Sequence, residues 1–210
     1  MITNVYVDGF NLYYGCLKGT PYKWLDLEAL AVRLLPHNRI NRIRYYTACI
    51  APREEDPAQH LRQELYLRAL AANPVVSIHL GRFQVTTARM RLARPPVTGP
   101  KTAEVLKVEE KGSDVNLATH LLADAFRKDC RAAVVISNDA DLAEPVRLVC
   151  HELRLPVGIV NPHRVHRRSV SLERVSPTFF RQIRPSVLKA CQLPEKVMDG
   201  QGAICRPESW

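Results

Sequence analysis

The stretch VVISNDADLAEPV, residues 134–146, joins a short apolar run to two aspartates and then to a helical pattern. The apolar residues 134–136 predict a buried strand, because continuous apolar runs are typical of strands covered on both faces. Asp139 and Asp141 follow this strand directly, and residues 142–153 have the apolar spacing of a helix. A buried strand that leads into a helix favours an α/β fold with a parallel sheet.

Strand and helix patterns alternate along most of the chain. Strands are predicted at 4–8, 42–50, 75–85 with a bend at Gly81, 132–137 and 155–160. Helices are predicted at 27–35, 58–72, 114–128, 142–153 and 176–183. Residues 88–107 are interpreted as a basic loop or an irregular hairpin, and 185–210 as an extended tail that lies on the domain or is partly disordered. The alternation predicts one α/β domain over 1–184, with a mainly parallel sheet and right-handed crossovers.

Composition indicates a globular chain and argues against several classes of protein. The 210 residues are 46% hydrophobic, yet no 18-residue uncharged apolar stretch occurs, so no membrane span is expected. The N-terminal sequence lacks the pattern of a signal peptide. The six cysteines are scattered without a CxxC spacing, which argues against a zinc or redox motif. We therefore expect a cytoplasmic protein.

The net charge of +9 is concentrated in two segments. Within 82–107 the basic residues, opposed by Glu104 alone, are Arg82, Arg89, Arg91, Arg94, Lys101 and Lys107. Within 161–184, opposed by Glu173, they are Arg164, Arg167, Arg168, Arg174, Arg181 and Arg184. Basic segments of this kind complement a polyanion and predict RNA or DNA as the partner, although an arginine-rich proteome would produce the same excess.

Polar residues follow the predicted strands at the edge where parallel sheets bind ligands. The first strand ends at Asp8, with Asn11 shortly after it, and the strand of the opening stretch is followed by Asp139 and Asp141. Asp114 lies in the first turn of its helix on the apolar stripe, so we expect it to face the same edge. The same helix carries His120 on its polar face, and it is predicted to be a surface residue.

These acids have a simple alternative explanation and a functional one. Each alone is compatible with a turn or a helix cap. Several carboxylates at one edge, however, repel one another and require a compensating cation. Oxygen ligands favour Mg²⁺ or Mn²⁺ over zinc, and such an ion can activate water for phosphodiester hydrolysis. The acids therefore predict a magnesium or manganese site.

Four segments occur together in a specific order: VYVDGFNLYYG (5–15), EKGSDVNLATHLLADA (110–125), VVISNDADLAEPV (134–146) and VGIVNP (157–162). Over residues 3–184 this pattern resembles the NYN domain family, the LabA/DUF88-like branch of the PIN-like nuclease superfamily. The resemblance implies a PIN-like, Rossmann-like three-layer α/β/α sandwich with a metal-dependent ribonuclease site.

The resemblance also implies site residues. Asp8 and Asn11 match the D-G-x-N motif, Asp114 matches K-G-x-D-V, and Asp139 and Asp141 match S-x-D-x-D. Within K-G-x-D-V, Lys111 is either a phosphate contact or a solvated lysine. Some relatives have Asp where this chain has His120.

The leading hypothesis is a Mg²⁺- or Mn²⁺-dependent endoribonuclease. Asp8, Asp114 and Asp139 would be metal ligands, Asp141 would be a ligand or orient water, and Asn11 would position Asp8 or the phosphate. The residues expected to contact nucleic acid are Arg82, Arg89, Arg91, Arg94, Lys111, Arg164, Arg167 and Arg168. Aromatic residues Phe10, Tyr13 and Tyr14 would stack on bases or pack in the core.

Two other functions are compatible with the sequence. One is a non-catalytic RNA-binding or regulatory module that uses the same basic surface. The other is a phosphatase, although the chain has neither a DxDx[TV] motif nor a P-loop. Homodimers are common among compact α/β domains, so a homodimer is one expected state.

Overall fold

Strands and helices alternate along the chain in the computed structural model, which describes residues 1–52 and 54–210. The strands are β1 (Ile2–Asp8), β2 (Arg39–Thr47), β3 (Val76–Leu80), β4 (Arg82–Arg91), β5 (Thr102–Lys111), β6 (Ala132–Ile136), β7 (Val157–Asn161), β8 (Phe179–Gln182), β9 (Lys196–Asp199) and β10 (Gly202–Cys205). The helices are α1 (Gly9–Leu12), α2 (Leu27–Leu34), α3 (Gln59–Ala71), α4 (Ser113–Phe126), α5 (Ala143–Arg147), α6 (Val170–Arg174) and α7 (Pro185–Ala190). A π-helical turn, Tyr13–Leu17, extends α1.

A six-stranded parallel sheet in the order β3-β2-β1-β6-β7-β8 forms the centre of the domain. The chain builds the sheet outward from β1 to β3, and then returns to place β6 on the other side of β1. The strand order therefore reverses between β1 and β6. In open parallel sheets, a crevice for ligands forms at the carboxyl ends of the strands on either side of such a reversal.

The sheet is covered on both faces, which confirms the predicted three-layer α/β/α fold. Because side chains alternate along a strand, Val5 and Val7 of β1 point to one face and Tyr6 points to the other. The valines pack in a core with residues of α2, α3 and α7, whereas Tyr6 packs in a second core with Leu117 of α4 and Val146 of α5.

The predicted strand 75–85 is in fact two strands in different sheets. Strand β3 ends the central sheet, and after Gly81 the chain enters β4, which pairs antiparallel with β5. A Cβ atom at Gly81 would lie 2.7 Å from the backbone carbonyl oxygen of Lys111, so a larger residue would require the strands to move apart. The hairpin alternative for 88–107 is confirmed, and the β4–β5 hairpin is largely exposed.

The predicted helix 176–183 is wrong, because this segment forms the edge strand β8. The proposed cap Ser176 has a φ of 55°, which differs from the extended backbone of a helix N-cap. Phe179 pairs with Gly158 of β7, where a Cβ would lie 2.1 Å from the phenylalanine ring. The close packing of the Phe179 ring over a glycine on the neighbouring strand outweighs the local helical signal.

Residues 185–210 contain regular structure where the sequence predicts an extended tail. Helix α7 and the β9–β10 hairpin lie on the domain, which was one of the two alternatives predicted for this segment. Trp24 Nε1 donates a hydrogen bond of 2.8 Å to the Pro194 carbonyl, and Arg68 of α3 pairs with Asp199 at 2.6 Å. Within the described residues, no helix has the length and apolarity needed to cross a membrane.

Candidate active site

Three carboxylates converge at the carboxyl edge of the central sheet, where the strand order reverses. Asp8 ends β1, Asp139 follows β6, and Asp114 lies in the first turn of α4. Each offers a carboxylate oxygen, and these oxygens all lie within 4.8 Å of one another. The crevice predicted from the strand pattern therefore contains the acids that the sequence motifs indicate.

Asp8 is the most buried of the three, with 5% of its surface exposed. Its Oδ1 accepts a hydrogen bond of 2.9 Å from the Asn11 N–H, and its Oδ2 accepts one of 2.8 Å from the Ser137 hydroxyl. Burial nevertheless raises the pKa of Asp8 to about 6, because the two hydrogen bonds offset only part of the lost hydration. Its carboxylate is thus held in one orientation at an electrostatic cost.

Asp114 has the same electrostatic character, although it is only partly buried. Desolvation raises the pKa of Asp114 to about 6, and the negative charges of Asp139, Glu110 and Asp141 add to the rise. None of the three acids forms an ion pair with any residue that the structure describes. The negative charge of the cluster is therefore not neutralised by basic side chains.

Asp139 and Asp141 occupy different places in the loop after β6. The Asp139 N–H donates to Ser137 Oγ over 3.1 Å, and Oδ1 of Asp139 accepts from the Asp141 N–H over 3.0 Å. Asp141 itself is exposed and lies outside the group of three, although its charge acts on Asp114. Of the two acids in the opening stretch, one joins the cluster and the other borders it.

Asn11 connects the cluster to β7. Its Oδ1 accepts a 3.0 Å hydrogen bond from the Asn138 N–H and lies 3.1 Å from Nε2 of His163. Because an amide oxygen can only accept, Nε2 of His163 must carry the hydrogen. Burial and the charge of Arg167 lower the pKa of His163, which favours the neutral ring. The sequence motifs do not indicate this contact of His163, although the histidine directly follows the VGIVNP segment.

Glu110 is a second residue near the site whose contacts the sequence motifs do not indicate. At the end of β5 its Oε1 accepts hydrogen bonds from the Ser113 hydroxyl over 2.8 Å and from the Ser113 N–H over 3.2 Å. A glutamate three residues before the start of a helix can bind the free N–H groups of the first turn, and this spacing was visible in EKGSD. The negative charge of Glu110 acts on the cluster by raising the pKa of Asp114.

A cavity of about 360 Å³ adjoins the three acids. Its walls include Asp8, Asp114 and Asp139 at one part and a set of aromatic side chains elsewhere. We call it the aromatic cavity, after its aromatic residues Phe10, Tyr13, Tyr14, Tyr45, Tyr66, Phe83 and Trp210. Several elements contribute these rings, so the sequence pattern of any single segment does not reveal the cavity.

The basic residues expected to bind nucleic acid lie in two regions that both reach the site. Arg82, Arg89, Arg91 and Arg94 are exposed on or next to the β4–β5 hairpin, whose residues Phe83 and Glu110 line the cavity. In the same hairpin, Lys111 is paired with Glu109 at 3.4 Å.

The second basic region follows β7. Arg164 and Arg167 are exposed, and the Arg167 carbonyl accepts a 2.6 Å hydrogen bond from the Asn138 side chain. Arg168 is already engaged, since it pairs with Glu173 at 2.9 Å and lies 4.6 Å from the centre of the Phe180 ring. The structure thus leaves Arg164 and Arg167 as the more exposed cations of this loop.

His120, predicted to be a surface residue, is partly buried and contacts the sheet. Its Nδ1 lies 3.1 Å from the Tyr46 hydroxyl, and its ring lies 4.4 Å from that of His79. The polar face of α4 packs on the sheet because Arg44 forms two hydrogen bonds, of 2.8 and 2.9 Å, with Asp124. Helical periodicity identified a polar face correctly, but a buried cation from β2 allows that face to be covered.

Comparisons with known proteins agree with this architecture. The sequence pattern of the NYN domain matches residues 2–180. The chain is 32% identical to 6-hydroxy-3-succinoylpyridine 3-monooxygenase HspA from Pseudomonas putida strain S16, over 99% of its own length and 75% of that protein. Its fold is similar to that of a Vibrio parahaemolyticus protein of unknown function, with a TM-score of 0.54, 16% identity, and coverage of 91% of this chain and 96% of the other. The sequence match over most of its length shows that the chain belongs to the NYN domain family.

Proposed function

We propose that the protein is a divalent-metal-dependent endoribonuclease whose centre consists of Asp8, Asp114 and Asp139. The observation that carries the proposal is the convergence of three carboxylates within 4.8 Å at the ligand-binding edge of the sheet. Membership of the NYN domain family supports a nuclease-type hydrolase. The exposed arginines on the β4–β5 hairpin and in the loop after β7 support a polyanionic substrate.

The residues of the cluster fit a hard divalent cation. Two like charges less than 4.8 Å apart repel by about 3–4 kcal/mol or more at an effective dielectric of 20, so the ionised cluster is favourable only with a counterion. All three donors are carboxylate oxygens, which suit Mg²⁺ or Mn²⁺. Such an ion, when bound, neutralises charge on the phosphodiester and lowers the pKa of water.

The surrounding side chains would hold the site in a fixed geometry. Ser137 and the Asn11 N–H orient the Asp8 carboxylate, and His163 and the Asn138 N–H orient the Asn11 side chain. Pre-oriented groups of this kind lose little free energy to reorganisation during a reaction. In this proposal the exposed Asp141 orients the attacking water.

The basic residues would align the RNA strand across the cluster. Arg164 and Arg167 lie on the β7 side, and the arginines Arg82 and Arg89 lie on the hairpin. Lysine and arginine contacts to phosphates make binding strongly dependent on salt. RNA affinity should therefore fall steeply between about 50 and 200 mM salt.

The test is cleavage of single-stranded and structured RNA with Mg²⁺, with Mn²⁺ and with EDTA. We expect Asp139→Asn to reduce metal-dependent cleavage by about 100-fold or more, since even the partners of metal ligands contribute 10–100-fold. The matched control is Glu144→Gln, which removes an exposed carboxylate of α5 that pairs with Arg147 at 2.7 Å. Equal cleavage by the two variants would contradict the site assignment, and salt-sensitive binding without turnover would indicate a non-catalytic RNA-binding module.

A second candidate function is oxygenation of a small aromatic substrate. The similarity to a pyridine-compound monooxygenase covers nearly the whole chain, and the aromatic cavity next to the acids is large enough for such a compound. The test is incubation with 6-hydroxy-3-succinoylpyridine, oxygen and a nicotinamide or flavin reductant. Because C3 of this substrate carries the succinoyl group, a new oxygen at C3 requires that group to leave. Mass spectrometry would then detect a pyridine with a hydroxyl in place of the succinoyl group, together with a released four-carbon acid, and an unchanged substrate would exclude this activity.

A further inference from the structure

We propose that the aromatic cavity is the binding pocket for one unpaired nucleobase of the RNA substrate, and that Trp210 is a specificity-determining wall of this pocket. The inference rests on the proposed ribonuclease function and names its substrate class: single-stranded RNA with a base free to leave the stack. Trp210 lies outside the NYN match of residues 2–180, so the pocket is built partly by residues beyond the family pattern.

The walls of the cavity are aromatic pairs in edge-to-face contact. The ring centres are 5.7 Å apart for Tyr66 and Trp210, and 5.7 Å apart for Phe10 and Phe83. Aromatic side chains bind single-stranded RNA by stacking on bases, and this contact is available to every base because each has a π face. The cavity thus supplies the type of surface that an extruded base requires.

Two tyrosines give the cavity a rigid floor. Tyr45 and Tyr66 are buried, and the Tyr66 hydroxyl donates a 2.8 Å hydrogen bond to the Leu25 carbonyl. A Cβ atom at Gly9 would lie 2.7 Å from the Tyr45 ring, so a larger residue at this position would push against the floor. A preformed floor lowers the entropic cost of binding a planar ring.

Charge and position favour a nucleotide over an uncharged apolar ligand. The three acids line one part of the cavity, so a base in the cavity would place its own phosphate near the proposed metal ligands. Lys23 also lines the cavity, with its Nζ 5.8 Å from the Trp210 ring centre, whereas Arg62 of the lining is already paired with Asp56. The positive charge of Lys23 complements a phosphate next to the bound base.

Bases in a duplex are stacked and paired, and extruding one costs a few kcal/mol. We therefore expect cleavage of single-stranded RNA to exceed cleavage of duplex RNA of the same sequence. We expect Trp210→Ala to weaken this preference more than it weakens metal binding, because the ring contacts the base and none of the three acids is altered.

The direct experiment is calorimetric binding of adenosine and uridine 5′-monophosphates to the 210-residue chain. Trp210→Ala should weaken binding by about 10-fold or more, the range for loss of a stacking contact, and Trp210→Phe should stay within about 3-fold of wild type. Tyr14→Ala is a second variant, chosen because Tyr14 is 53% exposed and its loss should leave the fold intact. The matched control is Phe126→Ala. Phe126 is 78% exposed and lies at the C-terminal end of α4, whereas Asp114 lies at its N-terminal end. Circular dichroism would verify that each variant is folded.

Two further ligands separate the base from other sources of affinity. Ribose 5-phosphate lacks the ring, and nicotinate is a free heteroaromatic acid. Binding of the nucleotides alone, weakened in both Trp210→Ala and Tyr14→Ala, would support the pocket. The proposal would be overturned by equal binding of ribose 5-phosphate, by binding of nicotinate alone, or by nucleotide affinities that neither variant changes.

The outcomes for the pocket and for the nuclease are separable. If nucleotides bind through the rings but no RNA is cut with any divalent ion, the ribonuclease proposal fails and the pocket remains. If Asp139-dependent cleavage is equal on single-stranded and duplex RNA, and is the same in Trp210→Ala as in wild type, the pocket proposal fails and the nuclease remains.

Discussion

Two aspartates on helix α4 have opposite electrostatic environments. Asp124 is 2% exposed and forms a bidentate pair with Arg44 of β2, and the Tyr6 hydroxyl donates to it over 2.9 Å. Burial alone would raise the pKa of Asp124, but these hydrogen bonds outweigh it and lower the pKa. Asp114 lies ten residues earlier, and its pKa is raised to about 6. One helix therefore carries a carboxylate whose charge is paired with an arginine and another whose charge lies among other acids.

This difference distinguishes a carboxylate that stabilises the fold from one that belongs to the candidate active site. The partners of Asp124 come from neighbouring strands and complete its hydrogen bonding inside the protein. The neighbours of Asp114 are other acids, which raise its pKa, and in the proposed function a bound cation compensates their charge. A site that is electrostatically unfavourable without its ligand is a typical functional site.

The largest expected effect is on catalysis. Asp114→Asn should reduce metal-dependent RNA cleavage by about 100-fold or more, because it removes a metal ligand whose partners alone contribute 10–100-fold. Asp124→Asn should keep cleavage within a few-fold of wild type at a temperature where the variant is folded. Single-turnover assays with Mn²⁺ measure both. A large loss of cleavage in folded Asp124→Asn would show that the two carboxylates are not functionally distinct.

The second-largest expected effect is on stability, and here Asp124→Asn should have the larger effect. Asp124→Asn should lower the free energy of unfolding by about 3–5 kcal/mol, since it leaves the largely buried charge of Arg44 without its carboxylate partner. Asp114→Asn should leave that free energy unchanged or increase it, because it removes repulsion among the acids. Urea denaturation of the metal-free proteins gives both values. A loss of several kcal/mol in Asp114→Asn would mean that Asp114 is a structural residue.

The pH dependence of stability should also divide the two regions. Asp8 and Asp114 have pKa values near 6 in the fold against 3.8 for the unfolded group, so the folded state holds more protons between these values. Their contribution to stability therefore falls as pH rises from about 4 to about 6, by about 3 kcal/mol for the two-unit shift of Asp8. For Asp124, the lowered pKa gives stability that is lost only as pH falls below about 4.

The measurement for this pH prediction is the difference between variant and wild type in EDTA. Desolvation and the charge of His120 lower the pKa of His79 to about 4, which gives a slope of the opposite sign over part of the same range. Subtracting the Asp114→Asn curve from the wild-type curve removes this histidine effect. A flat difference between pH 4 and 6 would contradict the raised pKa of Asp114.

The smallest expected effect is stabilisation by the metal itself. Mg²⁺ or Mn²⁺ at 100 times its Kd should stabilise the wild type by about 2.7 kcal/mol at pH 7.5. Asp124→Asn should gain the same amount from its lower baseline, whereas Asp139→Asn should gain almost nothing. Thermal melts with and without the ion provide the comparison. An equal gain in Asp139→Asn would place the metal elsewhere.

Much of the site could be predicted because it depends on local patterns and one topological rule. The apolar strands before Asp8 and Asp139 are visible in the sequence, and parallel strands bring their carboxyl ends to one edge. Asp114 could be added because its helical stripe faces the sheet. Strand β8 and the contacts of His120 with the sheet could not be predicted, because each depends on a partner from another element. This partner is Gly158 for the strand, and the side chains of β2 for the histidine.

The sequence by itself determined the α/β alternation, the family and the three acids, since periodicity and motif spacing are properties of contiguous residues. Only the tertiary structure decided which acids have no basic side chain beside them and how Asn11 contacts His163. It also decided that Trp210 and Tyr66 line one cavity with Asp8. The physical reason is that desolvation, ion pairing and cavity shape depend on distances between side chains from different elements. These distances are set when the sheet and its two helical layers pack together.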